Sequence, residues 1–243
     1  MAKSEDYCER FYRKWVDPGN LVTREIVVGE TDIFISALKD VSAAAEELVR
    51  KYRGQISGYI KKHPDFQNSL EPLTIDSRAG DIIKDMILAS ILAGVGPMAS
   101  VAGAIAEFVG KGLLEHTEEV IIENGGDIFM KSDIKRKVVV YAGESPLSNK
   151  LFLEIKAEDT PLGICASSGT VGHSLSFGKA DACVIISSSA SLADAVATST
   201  CNRVKKPEDI KTALEFALSV KDIKGALIIC GKELGVLGDI VLG

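Results

Sequence analysis

Most apolar positions fall in short β-branched or aliphatic runs, broken by glycine, asparagine and proline. Runs of that kind read as strands of a sheet. Phe11 to Val16 and Leu21 to Val28 flank the turn sequence Asp17-Pro18-Gly19-Asn20 and predict a hairpin, with a further strand at Asp32 to Leu38. Strands are also expected at Glu119 to Ile122, Ile128 to Lys131, Lys137 to Tyr141, Leu151 to Ile155, Ile164 to Ala166 and Ala182 to Ser187. Gly225 to Cys230 and Val236 to Leu242 close the series. Between them, helical spacing predicts a helix from Val41 to Ile60, with an alanine-rich face and a lysine-rich end. Pro64 to Ile75 reads as a loop. Leu192 to about Val204 is predicted helical, and so is a segment from Pro207, which suits a first turn, to about Val220.

From Met86 to Ala106 no residue is charged, a length that could span a bilayer. Gly94-Val95-Gly96-Pro97 interrupts it, and Asp81, Lys84 and Asp85 before it, with Glu107 and Lys111 after it, predict two buried helices joined by a tight break. The whole order is strands, a helix, a helix pair, many strands, two helices, strands. Its hairpin connections are too short for an all-parallel sheet, so the expected fold class is α+β rather than doubly wound. No composition break marks a boundary, so residues 1–243 read as one domain with two similar halves, each laying helices on antiparallel sheet.

Composition narrows the function classes. A net charge of −6 and a pI near 5.2 give no electrostatic basis for binding nucleic acid or an anionic membrane. Cys8, Cys165, Cys183, Cys201 and Cys230 are scattered and include no C-x-x-C pair, which argues against both a disulfide framework and a zinc site. The first residues carry no apolar signal region. Together these features predict a cytoplasmic protein with a small-molecule ligand.

Three polar, glycine-bearing stretches are the candidate chemistry. Asp194 and Thr198 are four apart on a predicted helix, so both project from one face, and a carboxylate with a hydroxyl suits Mg²⁺. The structural alternative is a capping box with Ser191 as N-cap and Asp194 three residues on. Asn124-Gly125-Gly126-Asp127 reads as a hairpin turn, Asn-Gly favouring the type I′ geometry, or as bare backbone against a ligand. Ser167-Ser168-Gly169-Thr170 follows a strand and could cradle phosphate through N–H groups and hydroxyls, with His173 as a candidate base or ligand; the alternative is a polar loop with a surface histidine. Two other patterns fail. No G-x-S-x-G elbow surrounds Ser168, Ser174 or Ser176. Gly94-Val95-Gly96-Pro97-Met98-Ala99 mimics a dinucleotide fingerprint but follows a helix, not a strand.

Taken in order, Asn124-Gly125-Gly126-Asp127, Ser168-Gly169 and Ala193-Asp194-Ala195-Val196-Ala197-Thr198 resemble the ApbE superfamily, best known for magnesium-dependent FAD:protein FMN transferases. Glu9-Arg10-Phe11-Tyr12-Arg13, Thr31-Asp32, Val95-Gly96-Pro97-Met98 and Ser167 to Lys179 look closer to a soluble branch of that superfamily. The resemblance implies a tunnelling-type α+β fold with a nucleotide cleft between two halves. It further implies Mg²⁺ on Asp194 and Thr198, and FAD or another nucleotide along Asn124 to Asp127 and Ser168-Gly169. The chain departs from the superfamily at two motifs. Val101-Ala102-Gly103-Ala104-Ile105-Ala106 keeps only the glycine of a Lys-Gly-Tyr-x-x-Asp element, and Ser174 to Lys179 stands where Asp-Pro-x-Thr-Gly is expected. The rival expectations are a carrier or sensor without chemistry, and a structural homo-oligomer with small-residue helices at its subunit interface.

Overall fold

The computed structural model describes residues 19–171 and 177–243. Its centre is an eight-stranded sheet in which every neighbouring pair is antiparallel. In chain order the elements are β1 (Val22–Val28), β2 (Thr31–Ala37), α1 (Ser42–Lys62), the one-turn α2 (Asp65–Asn68), α3 (Asp81–Ala93) and α4 (Val101–Leu113). Then come β3 (Val120–Asn124), β4 (Asp127–Lys131), β5 (Arg136–Val139), β6 (Phe152–Ile155), β7 (Leu162–Ser167), β8 (Ala182–Ser187), α5 (Ala190–Arg203), α6 (Ile210–Ser219), β9 (Ile223–Cys230) and β10 (Glu233–Gly238). The sheet order is β1-β2-β3-β4-β7-β8-β9-β10, and β5 with β6 forms a separate ribbon.

A hairpin, helices and a second hairpin therefore occur twice, once from β1 to β4 and once from β7 to β10. The halves join edge to edge where β4 pairs with β7. The α+β class with two similar halves is what the structure has, and the antiparallel order leaves no place for a doubly wound sheet. One sheet face and all six helices enclose the larger core, from Ile33 and Phe129 through Ile185 to Ile228. The other face packs Met130, Ile164, Val184 and Leu227 beneath Val140, Leu153 and Ile155 of the ribbon and its flank.

The hairpin partner of β1 differs from expectation. It is β2, joined through Gly29 and Glu30 with Val28 opposite Thr31; Phe11 to Val16 lies outside the described residues. The 64–75 segment contains α2, which buries Phe66. The last strand runs from Glu233 to Gly238 rather than from Val236 to Leu242, because it tracks β9 only from Cys230 back to Gly225.

The helix pair forms as the uncharged stretch predicts. Gly94 ends α3 in the left-handed conformation and returns its N–H to Ser90. The chain turns by 104° before α4. Among the described residues, no single helix is long and apolar enough to cross a membrane. α5 lies between α3 and α4 on one side and β7 and β8 on the other, and ten of its fourteen residues are buried. It is the innermost helix, and it carries Asp194.

Candidate functional site

α5 starts two residues earlier than the capping-box reading requires. Its N-cap is Ser189, whose Oγ accepts the Leu192 N–H at 3.2 Å. The Ser191 N–H is bonded instead by Glu107 of α4, whose Oε2 lies 3.1 Å away and also accepts the Ser189 hydroxyl at 2.9 Å. Asp194 does not cap α5. Its Oδ2 accepts the Gly103 N–H at 2.9 Å, across the contact with α4.

That contact needs glycine at position 103. A Cβ there would sit 2.3 Å from the Ala190 carbonyl oxygen and 2.8 Å from Asp194 Cβ. With no side chain, the first turn of α4 comes close enough to present amide hydrogens to the carboxylate. Burial pushes Asp194 up to about 7, against the pull of the Gly103 and Ala102 amides. Thr198 stands one turn further on. Like Asp194 it keeps partial exposure while its neighbours on either side are buried. Among the described residues, no group bonds its hydroxyl.

The turn between β3 and β4 is two residues long. Asn124 pairs with Asp127 across it, and Gly125 and Gly126 both have positive φ, at 68° and 102°. The primed geometry therefore centres on Gly-Gly rather than on Asn-Gly. A side chain on Gly126 would meet nothing within 4 Å. The flanking pair is buried: Asn124 Nδ2 donates to the Ala102 carbonyl at 3.0 Å, and Asp127 Oδ1 accepts the Ala166 N–H at 3.2 Å. Asp127 is held well above the ordinary carboxylate range, first by burial and then by the charge of Asp194. The Ala166 amide and the Cys165 thiol offset this in part.

Asp127, Asp194, Asn124 and the start of α4 thus meet at the seam between the halves. Ser167 to Thr170 lies further along, beside the last turns of α5. A Cβ on Gly169 would be 2.1 Å from the Gly178 carbonyl, and one on Gly178 would be 1.9 Å from the Cys201 carbonyl. The loop's donors turn inward: the Thr170 and Val171 amides bond Ser168 Oγ at 3.1 and 3.0 Å, and the Gly169 amide bonds the Ala180 carbonyl at 2.9 Å. The Thr170 hydroxyl reaches Asp181 Oδ1 at 2.8 Å. His173 lies outside the described residues.

Two participants carried little sequence signal. Cys165 sits in an apolar strand and reads as a small hydrophobe, yet its Sγ reaches the Ala190 carbonyl at 3.2 Å beside Asp127. Burial, then Asp127, pushes its thiol well up. Glu107 reads as the charge ending an apolar helix. The clue to more was that it is acidic within an otherwise uncharged face, with Lys111 four residues on; that lysine bonds its Oε1 at 2.6 Å.

The donor set fits a hard divalent cation. Asp194 has a second carboxylate oxygen, and among the described residues nothing bonds the Thr198 hydroxyl on the adjoining turn and no lysine or arginine bonds either the buried Asp127 or the partly buried Asp194 beside it. Oxygen donors of this kind match Mg²⁺ rather than a thiolate-seeking metal.

Known proteins agree with this architecture. Over residues 13–236 the chain matches the family described as AbpE bacteria. A UPF0280 protein of Methanococcus aeolicus is 40% identical over 227 residues, covering 90% of this chain and 91% of that one. One from Methanocaldococcus jannaschii is 39% identical over 225 residues, with coverages of 89% and 91%. Among solved structures, the flavin transferase ApbE from Vibrio cholerae superposes with a TM-score of 0.58 at 12% identity, covering 90% of this chain and 96% of that one. The ApbE protein of Thermotoga maritima gives 0.56 at 13%, with coverages of 88% and 96%. The structural likeness carries the fold alone, while the match along most of the sequence carries the family: this chain belongs to the AbpE bacteria family, an ApbE-like branch that includes the archaeal UPF0280 proteins.

Proposed function

We propose that the seam between the halves binds a nucleotide carrying a pyrophosphate, FAD being the leading candidate, together with Mg²⁺ held by Asp194 and Thr198. The observation that carries this reading is the Asp194–Asp127 pair. A buried carboxyl, Asp127, held beside the partly buried Asp194 is costly unless a proton or cation offsets their charges, and the Thr198 hydroxyl would supply a further oxygen ligand on the adjoining turn. The name of the Vibrio cholerae neighbour, a flavin transferase, favours a flavin over other nucleotides. The turn at Gly125-Gly126 and the start of α4 flank the pair, and such a ligand would rest against them. Bound there, Mg²⁺ would supply Lewis-acid polarisation of the pyrophosphate.

Thermal melting of the full chain with FAD, with and without Mg²⁺, tests the reading. A ligand at one hundred times its Kd adds about 2.7 kcal/mol, and here that gain should require Mg²⁺. It should vanish in Asp194→Ala and shrink in Thr198→Val. No shift with FAD, FMN, AMP or ADP at any Mg²⁺ concentration would rule the reading out. Release of AMP from FAD in the presence of threonine-containing peptides separates a transferase from a carrier.

A further inference from the structure

A groove lies away from the seam, between α1 and the start of α3. It consists of a cavity of about 600 Å³ and an adjoining one of about 280 Å³. Tyr59, Lys62 and His63 line both, and no residue of the Asp194 seam lines either. Its size falls within the range of small-molecule sites, roughly 300 to 1,000 Å³.

The floor is bare helix. Gly54 and Gly58 lie one turn apart in α1 and line the larger cavity, and a Cβ on either would meet no atom within 4 Å. Glycine inside a helix is unfavourable. Among the described residues, the usual compensation, a neighbouring backbone packed against it, is missing at both positions. Along one wall, Tyr59 stacks on His63 with ring centroids 4.3 Å apart and meets Phe66 edge-on.

The polar groups favour an anion. Among the described residues, Lys62 has no ion-pair or hydrogen-bond partner. Arg78 approaches Asp76 at 3.6 Å, and most of its guanidinium is exposed. Asp76, the carboxylate lining the larger cavity, already accepts the Arg78 amide at 2.9 Å. Across the groove α3 begins at Gly80, a residue with no side chain to cap the helix. The Ile83 and Lys84 amides bond the Gly80 carbonyl, and among the described residues nothing bonds the Asp81 and Ile82 amides. Unpaired amides at a helix start attract anionic oxygens.

We propose that this groove is a second ligand site, separate from the seam, for a small phosphomonoester up to the size of a mononucleotide. Lys62, Arg78 and the first turn of α3 hold the phosphate. The rest of the ligand lies on the Gly54–Gly58 floor beside Tyr59.

Isothermal titration of the full chain, without metal, with AMP, inorganic phosphate and adenosine tests this. AMP should bind, inorganic phosphate should displace it, and adenosine should bind at least about tenfold more weakly. Lys62→Ala and Gly58→Leu should each weaken AMP by about tenfold or more. Gly58→Leu should melt no lower than the parent, since leucine favours a helix and the space is open, so its lost binding cannot be lost folding. Asp194→Ala should bind AMP as the parent does. The proposal is overturned by no AMP binding at about 1 mM, by adenosine binding as well as AMP, or by binding that Lys62→Ala and Gly58→Leu leave intact. Loss of binding only in Asp194→Ala would move the ligand to the seam and equally overturn it.

Discussion

At the α4–α5 seam and along the α1 groove, glycine does opposite things. Gly103 is present because a Cβ would strike the Ala190 carbonyl at 2.3 Å. Gly54 and Gly58 have nothing within 4 Å of where a Cβ would be. At the seam the missing side chain lets two backbones meet and delivers an amide to Asp194. On α1 it leaves the helix open to whatever enters the groove. A glycine in an apolar helix thus marks close packing or an exposed floor, and only its neighbours in space tell which.

Gly103→Ala should give the largest effect. The added methyl has no room to turn away, because backbone of α5 and Cβ of Asp194 both lie within 2.8 Å. Overpacking of this kind costs about 3 kcal/mol. The same shift withdraws the amide from Asp194, so Mg²⁺-dependent FAD stabilisation should fall with the melting temperature. A melting temperature equal to that of the parent would mean the seam is looser than its geometry implies.

Glu107→Ala comes next. It leaves the Ser191 amide, which is buried, and the Ser189 hydroxyl without their acceptor, at about 2 to 3 kcal/mol by urea unfolding. Glu107→Gln keeps an oxygen for them and should lose about 1 kcal/mol. If both substitutions cost the same, the charge rather than the hydrogen bonds is what matters there.

These two predictions also show what could be read from the chain alone. The strands were legible because alternation and β-branching mark a sheet wherever one face is buried. Asp194 and Thr198 were placed on one face of a helix by spacing alone. The start of that helix was not legible: Ser189, Ser191 and Asp194 offer two caps of equal local quality. The choice is made by Glu107, 82 residues from Ser189 in the chain. The end of β10 was misplaced because that strand is half-exposed and carries little apolar pattern. The groove left no trace, since nothing in the sequence distinguishes a glycine facing open space from one facing backbone.

Asp85, at the same end of α5, offers a pH-dependent probe. Burial raises its carboxyl above the ordinary value of 3.8, with Glu107 adding to the rise and Ser191 and Lys111 opposing it. The folded chain therefore keeps this proton where the unfolded chain has released it. The contribution to stability is full below 3.8 and is lost as pH rises through the folded value. Asp85→Asn removes that loss. Its melting temperature should match the parent's near about pH 4 and exceed it increasingly toward about pH 8. Parallel melting curves across that range would mean the carboxyl is better solvated than its position suggests.

The smallest expected effect belongs to the groove, and it reverses the sign seen at the seam. Gly54 is exposed within the twenty-one residues of α1, and a methyl added there touches nothing. Gly54→Ala removes backbone freedom from the unfolded chain and adds helix propensity, so it should stabilise the protein by up to about 1 kcal/mol. Gly103→Ala, the same substitution on a different helix, should destabilise it by about three times as much. Urea unfolding of the two variants beside the parent reads both signs in one experiment. If Gly54→Ala destabilises instead, some part of the protein covers α1 in solution, and the contrast between an open floor and a closed seam disappears.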